Sequence, residues 1–145
     1  MKHKELSRSE TGRTFALVLE SGEEAFAAIQ AFARMENVSA ASLTAIGAFE
    51  RAVVGWFDFS SHSYRKIPVS EQCEVLSALG DIAMGDDGTP SLHVHTVLGL
   101  QDGTTRGGHL LEGWVNPTLE VIVNETPAHL HRRKRPDLGI ALIDI

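Results

Sequence analysis

Cysteine occurs once in the 145 residues, at position 73. One thiol cannot form an internal disulfide, so the fold must stand on its apolar core, and a reducing, cytoplasmic setting is the expectation. A lone cysteine in a strand is far more often packed than ligating or nucleophilic. No apolar run approaches the roughly 20 residues that a membrane-spanning helix needs. The first residues, MKHKELSRSETGR, hold no apolar stretch of the kind that marks a secretory leader. Positive charge is also scarce: 13 Lys and Arg stand against 19 Asp and Glu, a net charge of −6. Binders that grip nucleic acid non-specifically gain affinity by neutralising phosphates, so this balance argues against that class. The glycine-rich stretches lack the Lys-Ser/Thr and the strand-to-helix context of a phosphate loop. Asp86 and Asp87 lack the ligand spacing of a calcium loop and read as a plain turn.

Hydrophobic residues make up 43% of the chain, enough for one core. No internal repeat, linker or low-complexity segment breaks it. The polar residues 1–13 are expected to be flexible, with a single domain over 14–145. Residues 14–20, TFALVLE, read as a first strand. Ser21 and Glu24 have the spacing of a capping box, with Ser21 as N-cap. The helix that follows, about residues 22–35, sets Ala25, Ala28, Ile29, Phe32 and Met35 on one stripe facing the core. Asn37 is the expected stop. Two strands are expected within 42–59, around Gly47 and Gly55, and further strands over 64–69, 72–84, 91–100, 105–115, 119–124 and 139–143. The class is α+β, an antiparallel-rich sheet or half-barrel of seven or more strands with one main helix.

The segment from Leu92 to Val123 carries the chemistry. His93 and His95 are two apart, so on a strand they share a face. Asp102-Gly103 is a strong hairpin signal, and His109 follows two glycines on the returning strand. A two-residue loop at Asp102-Gly103 would set His109 opposite Thr96, on the wrong face. A three-residue loop, Asp102 to Thr104, would set it opposite Val97, diagonal to His95. A bulge at Gly107-Gly108 would also restore the phase. One of the last two is required if the three imidazoles are to meet. Three neutral imidazoles with a fourth position open form the arrangement of a catalytic zinc site. Imidazole suits nickel and iron as well, so the ion's identity stays open.

These residues carry a resemblance. His93-x-His95, then Gly107-Gly108-His109-Leu110, then Thr118-x-Glu120-Val121-x-Val123 resemble the signature of the PPC domain, the "plants and prokaryotes conserved" family. Glu74-Val75-Leu76-Ser77 with Leu79-Gly80, and Ala45-Ile46-Gly47-Ala48, resemble two further family elements. The likeness runs from about Phe15 to the C-terminus. It implies a metal, zinc being expected, on His93, His95 and His109, a homotrimer, and a fold related to acetolactate decarboxylase. Plant relatives bind DNA largely through a separate AT-hook, and the chain holds no such element.

Glu74 occupies a family-matching position and is the candidate general acid/base or orienting partner of a metal-bound histidine. Glu120 and Glu112 read as surface residues, as do His3, His62, His129 and His131. The run Arg132-Arg133-Lys134-Arg135 reads first as a solvated loop before the last strand. It could also be a nucleic-acid patch, or one arginine could enter the metal cleft and hold an anionic substrate. Two function classes remain open. One is a metal-dependent lyase or hydrolase acting on a small oxo- or hydroxy-acid. The other is a non-enzymatic module bound to DNA, protein or a small ligand.

Overall fold

The computed structural model describes residues 1–145. One helix and nine strands follow in the order β1 (Lys2–Ser9), β2 (Gly12–Glu20), α1 (Ala25–Met35), β3 (Ala40–Asp58), β4 (Ser63–Val69), β5 (Cys73–Gly85), β6 (Pro90–Gly99), β7 (Thr105–Glu125), β8 (His131–Arg135) and β9 (Ile140–Asp144). The α+β class and the antiparallel-rich sheet are as the sequence implies. The strand path is β1-β2-β7-β3-β5-β8-β9, with β4 against β3, and β6 joined to both β5 and β7. The pairings β3–β5, β5–β6, β6–β7 and β7–β3 therefore close on themselves. Only the β5–β8 pair is parallel. No helix is long and apolar enough to cross a membrane.

The long strands β3 and β7 hold the sheet together. Each was expected as two strands, and each runs unbroken. Register shifts between Gly47 and Phe49, Phe49 and Arg51, and Val53 and Val54 let the β3–β7 ladder bend without parting. Bulges of this kind turn a strand where a strict ladder would end it. Phe15, Leu17 and Leu19 of β2, Leu43 and Phe49 of β3, and Leu119, Val121 and Val123 of β7 all point inwards and are nearly fully buried.

Helix α1 covers this inner face through Ala25, Ile29, Phe32 and Ala33. Ala28 packs at the edge of the core, and Met35, expected in the stripe, is exposed. The helix begins three residues later than expected, and its cap is Glu24, not Ser21. The Glu24 carboxylate accepts from Phe26 N and Ala27 N, and also from Gly113 N. The reason lies in the preceding backbone. Gly22 N donates to Val115 O and Val115 N to Glu23 O, so residues 22–24 are drawn into pairing with β7 before the helix can start. Asn37 ends the helix at φ 56°, a conformation asparagine tolerates.

Two further expectations are corrected. Residues 1–13, expected to be a flexible lead-in, contain a strand: Lys2–Ser9 form β1, in register with β2 from Lys2↔Val18 to Ser9↔Gly12. Backbone hydrogen bonds need no apolar side chains, and a charged edge strand guards a sheet against unwanted pairing. The strand is fixed at its start by Met1, whose ammonium lies 2.5 Å from Glu23 Oε1. The second correction is the basic run, which forms β8 and pairs with both β5 and β9.

Gly108 sits at φ +153°, and a Cβ there would lie 2.5 Å from the carbonyl oxygen of Gly55 across the ladder. Gly108→Ala is therefore expected to lose about 1–3 kcal/mol of stability, the usual cost of a strained backbone. A lower midpoint in urea denaturation with an unchanged slope checks this; an unchanged midpoint would contradict it.

Candidate metal centre

The site is built by one hairpin and its neighbour. β6 and β7 pair through Leu100 N to Thr104 O, leaving Gln101-Asp102-Gly103 as a three-residue loop. Gly103, at φ +79°, supplies the left-handed residue that such loops favour. Asp102 braces the turn by accepting from Thr104 N and Thr104 Oγ1. The loop has the expected length and therefore the expected phase. It begins one residue earlier than Asp102, so His109 lies directly opposite His95, not Val97. Gly107 and Gly108 are not needed for the phase; Gly108 instead admits the close approach of β3.

His93 Nε2 lies 3.1 Å from His109 Nδ1 and 3.1 Å from His95 Nε2. All three donor atoms fall within 4.8 Å of one another. Zinc–nitrogen bonds of about 2.0–2.1 Å in tetrahedral array set donors about 3.3 Å apart, so the triad fits an ion with little movement. No fourth histidine, cysteine or carboxylate joins the group. The set is thus three ring nitrogens and an open position.

Electrostatics keep two of the imidazoles, His95 and His109, ready to ligate. Burial lowers the His95 pKa, and the neighbouring His93 lowers it further. Burial first, then His95 and His93, push His109 down to about 4. A metal ligand must present a free lone pair, so uncharged rings at neutral pH suit the task.

Three residues around the triad complete it. Tyr64 of β4 stacks edge-on against His109, its hydroxyl 3.5 Å from His109 Nδ1. Burial raises the Tyr64 pKa, with Arg132 opposing, so the phenol keeps its proton. Asp81 of β5 sits opposite His93 in register, its Oδ2 3.8 Å from His93 Nδ1. Arg132 of β8 is buried and donates from Nη2 to Asp81 Oδ1.

Glu74, the expected acid/base, does not join them. It pairs with Gly99, four residues past His95 on β6, roughly 13 Å along the strand at its usual rise. A register shift between Val75 and Ser77 lies between Glu74 and the residues that face the triad. Its side chain borders a different cavity, with Glu71, Gln72, Cys73 and Gln101. Cys73 is buried, and burial raises its thiol pKa, as for a packed residue. Glu120 is exposed opposite Ile46 and Val18, and Glu112 is exposed opposite Val53. Asp86 accepts from Lys134 N of β8, and Asp87 accepts from Thr89 N within the turn between β5 and β6. His3 meets Glu36 and His129 meets Ser39, far from the triad in the fold.

A closed antiparallel sheet with one helix and an open trihistidine centre defines the class of protein. The chain belongs to the Plants and Prokaryotes Conserved (PCC, also written PPC) domain family, whose model matches residues 6–127. It is similar to a plant- and prokaryote-conserved protein of Pyrococcus horikoshii at 31% identity and TM-score 0.88, covering 94% of each chain. A metal-containing protein of Archaeoglobus fulgidus matches at 33% identity and TM-score 0.86, covering 94% of this chain and 96% of the other. A protein of Ralstonia eutropha JMP134 described as a putative DNA-binding protein matches at 26% and 0.85, covering 96% and 94%. At 14% identity and TM-score 0.54 the fold alone resembles a Staphylococcus aureus protein similar to α-acetolactate decarboxylase; 81% of this chain and 54% of that one are covered. No curated protein matches in sequence.

The depressed His109 pKa has a consequence for the metal-free protein. Between the ordinary histidine value of 6.5 and about 4, the unfolded chain takes up a proton that native His109 refuses. Native stability from this group is therefore full above 6.5 and falls as the pH drops towards 4. His109→Gln is expected to flatten that part of the stability–pH curve, measured by urea denaturation in chelator; an unaltered slope would contradict the assignment.

Proposed function

We propose that the chain is a metal-binding protein that holds one divalent ion, zinc being expected, on His93, His95 and His109, and that it works as a homotrimer on a small ligand. The observation that carries this reading is the convergence of three ring nitrogens within 4.8 Å of one another, His93 Nε2 lying 3.1 Å from each of the other two, with no fourth protein donor. A structural zinc is normally closed by four protein ligands, whereas a reactive one leaves a place for water or substrate. An ion there supplies Lewis acidity towards a carbonyl and lowers the pKa of a coordinated water to about 7. The relative described as metal-containing supports the site.

The surrounding residues favour a small oxo- or hydroxy-acid as ligand, by a metal-dependent lyase or hydrolase chemistry. Tyr64 presents a protonated hydroxyl beside His109, placed to donate to an oxygen bound at the open position. Asp81 is ion-paired with Arg132, so the carboxylate nearest the centre is charge-compensated. The distant likeness to an acetolactate decarboxylase fold agrees with this class but adds only an analogy of fold.

The trimer rests on the family resemblance and on one surface. Ile46, Leu76 and Leu79 are each more than half exposed, and Val97 and Ile122 are over a third exposed. Leu79 lies opposite His95, so this apolar face adjoins the centre. Contiguous exposed apolar surface marks an interface more often than bare solvent contact. A single cysteine, unpaired and buried, is in keeping with a cytoplasmic setting.

A second reading, a DNA-associated module, has in its favour the exposed Arg133, Lys134 and Arg135 of β8 and the putative DNA-binding relative. The net charge of −6 weighs against it.

Elemental analysis of tag-free protein beside a His93→Ala/His95→Ala variant tests the principal reading. About one metal per chain is expected in the wild type and none in the variant, both folded by circular dichroism. No metal in the wild type after incubation with zinc would overturn it. Sedimentation is expected to give three times the chain mass; a monomer at micromolar concentration would remove the trimer.

A further inference from the structure

Residues 128–145 lie outside the segment matched by the family model, yet they send one side chain to the centre. We propose that the β8–β9 hairpin is a brace for the metal site, acting through Arg132 on Asp81 and through Asp81 on His93. The inference rests on the metal-binding reading above and adds to it the residues that hold His93 in its ligating orientation.

The geometry of His93 is the first ground. Its Nε2 faces the other two donors, so Nε2 is the atom that would take the ion. Its Nδ1 faces away, 3.8 Å from Asp81 Oδ2, so a closure of about 1 Å brings the two to hydrogen-bond length. A ligating imidazole is held in the right tautomer when its other nitrogen gives its proton to a carboxylate, and that contact also raises its basicity. Neither His95 nor His109 has a carboxylate within ion-pair distance.

The second ground is the burial of Arg132. It is 6% exposed, which is rare for arginine, and the ion pair with Asp81 is the only one it makes. Its Nε has no hydrogen-bond partner, so Asp81 alone compensates the buried cation. Parallel pairing of β8 with β5 sets Arg132 beside Gly85, on the face that also carries Asp81. The three following basic residues, Arg133, Lys134 and Arg135, are exposed, so position 132 alone is turned inwards. A buried charge of this kind is kept only when its partner is fixed. The carboxylate so fixed is the one that faces His93.

The test compares zinc affinity, by competition with a chromophoric chelator, across Asp81→Ala, Asp81→Glu, Arg132→Met and the pair Asp81→Ala/Arg132→Met. Since Asp81→Ala strands the Arg132 cation, the double variant guards against misfolding. The affinity is expected to fall about 10–100-fold in Asp81→Ala and in the double variant alike, with about one zinc still bound at saturation. Arg132→Met is expected to fall less, and Asp81→Glu to recover part of the loss. Nitrogen-15 NMR of the zinc-loaded wild type should show His93 protonated at Nδ1, with that proton signal lost or shifted in the double variant. Unchanged affinity in a folded double variant would overturn the brace while leaving the centre intact. A wild type that binds no zinc would overturn both.

Discussion

The register of β6 against β7 is the constraint on which the rest depends. A strand repeats its faces every two residues, so a slip of one would turn His109 into the core and leave His93 and His95 alone. The three-residue loop Gln101-Asp102-Gly103 fixes the phase, with Asp102 bonding back to Thr104 and Gly103 taking the left-handed conformation. His109 then stands opposite His95, and His93 reaches the pair from two residues away on the same face. Three chain positions become one centre because one turn has three residues rather than two.

That hairpin would be loose by itself. It is clamped on both sides, by β5 against β6 and by β3 against β7. Gly55 of β3 lies opposite His109, and the absence of a side chain at Gly108 lets the two backbones meet. β4, carried on the far half of β3, brings Tyr64 onto His109. β5 brings Asp81 to His93. Each neighbour of the triad thus arrives on a different strand, and the closed β3–β5–β6–β7 ring sets their mutual positions. Sites on paired strands are held more tightly than sites on loops.

Much of this was legible in the residues. The α+β class, the helix and the trihistidine set follow from periodicity, turn residues and the alternation of strand faces. Asp81 was hidden by one residue of loop length: a loop of Gly85–Gly88 would set it opposite Leu92, whereas the three-residue loop Asp86–Gly88, closed by Gly85 N to Thr89 O, sets it opposite His93. Other features were hidden for physical reasons. β1 is polar because an edge strand is held by its backbone, and periodicity cannot see backbone pairing. β3 and β7 read as broken strands because glycine and proline signal ends, while here register shifts absorb them. Glu74 shows the reverse difficulty, since the register shift between Val75 and Ser77 and the distance along the strand separate a motif residue from the centre. Arg132 looked like one of four solvated cations, and only the parallel β5–β8 pairing, a long-range event, turns it inwards.

The central claim is that the ion is held by imidazole nitrogen alone from the protein, with a place left for water or ligand. X-ray absorption at the zinc edge of the loaded protein measures this directly. The account predicts nitrogen or oxygen scatterers at about 2.0–2.1 Å with the outer-shell pattern of three imidazoles. A sulfur scatterer at about 2.3 Å, or a shell lacking imidazole features, would contradict it.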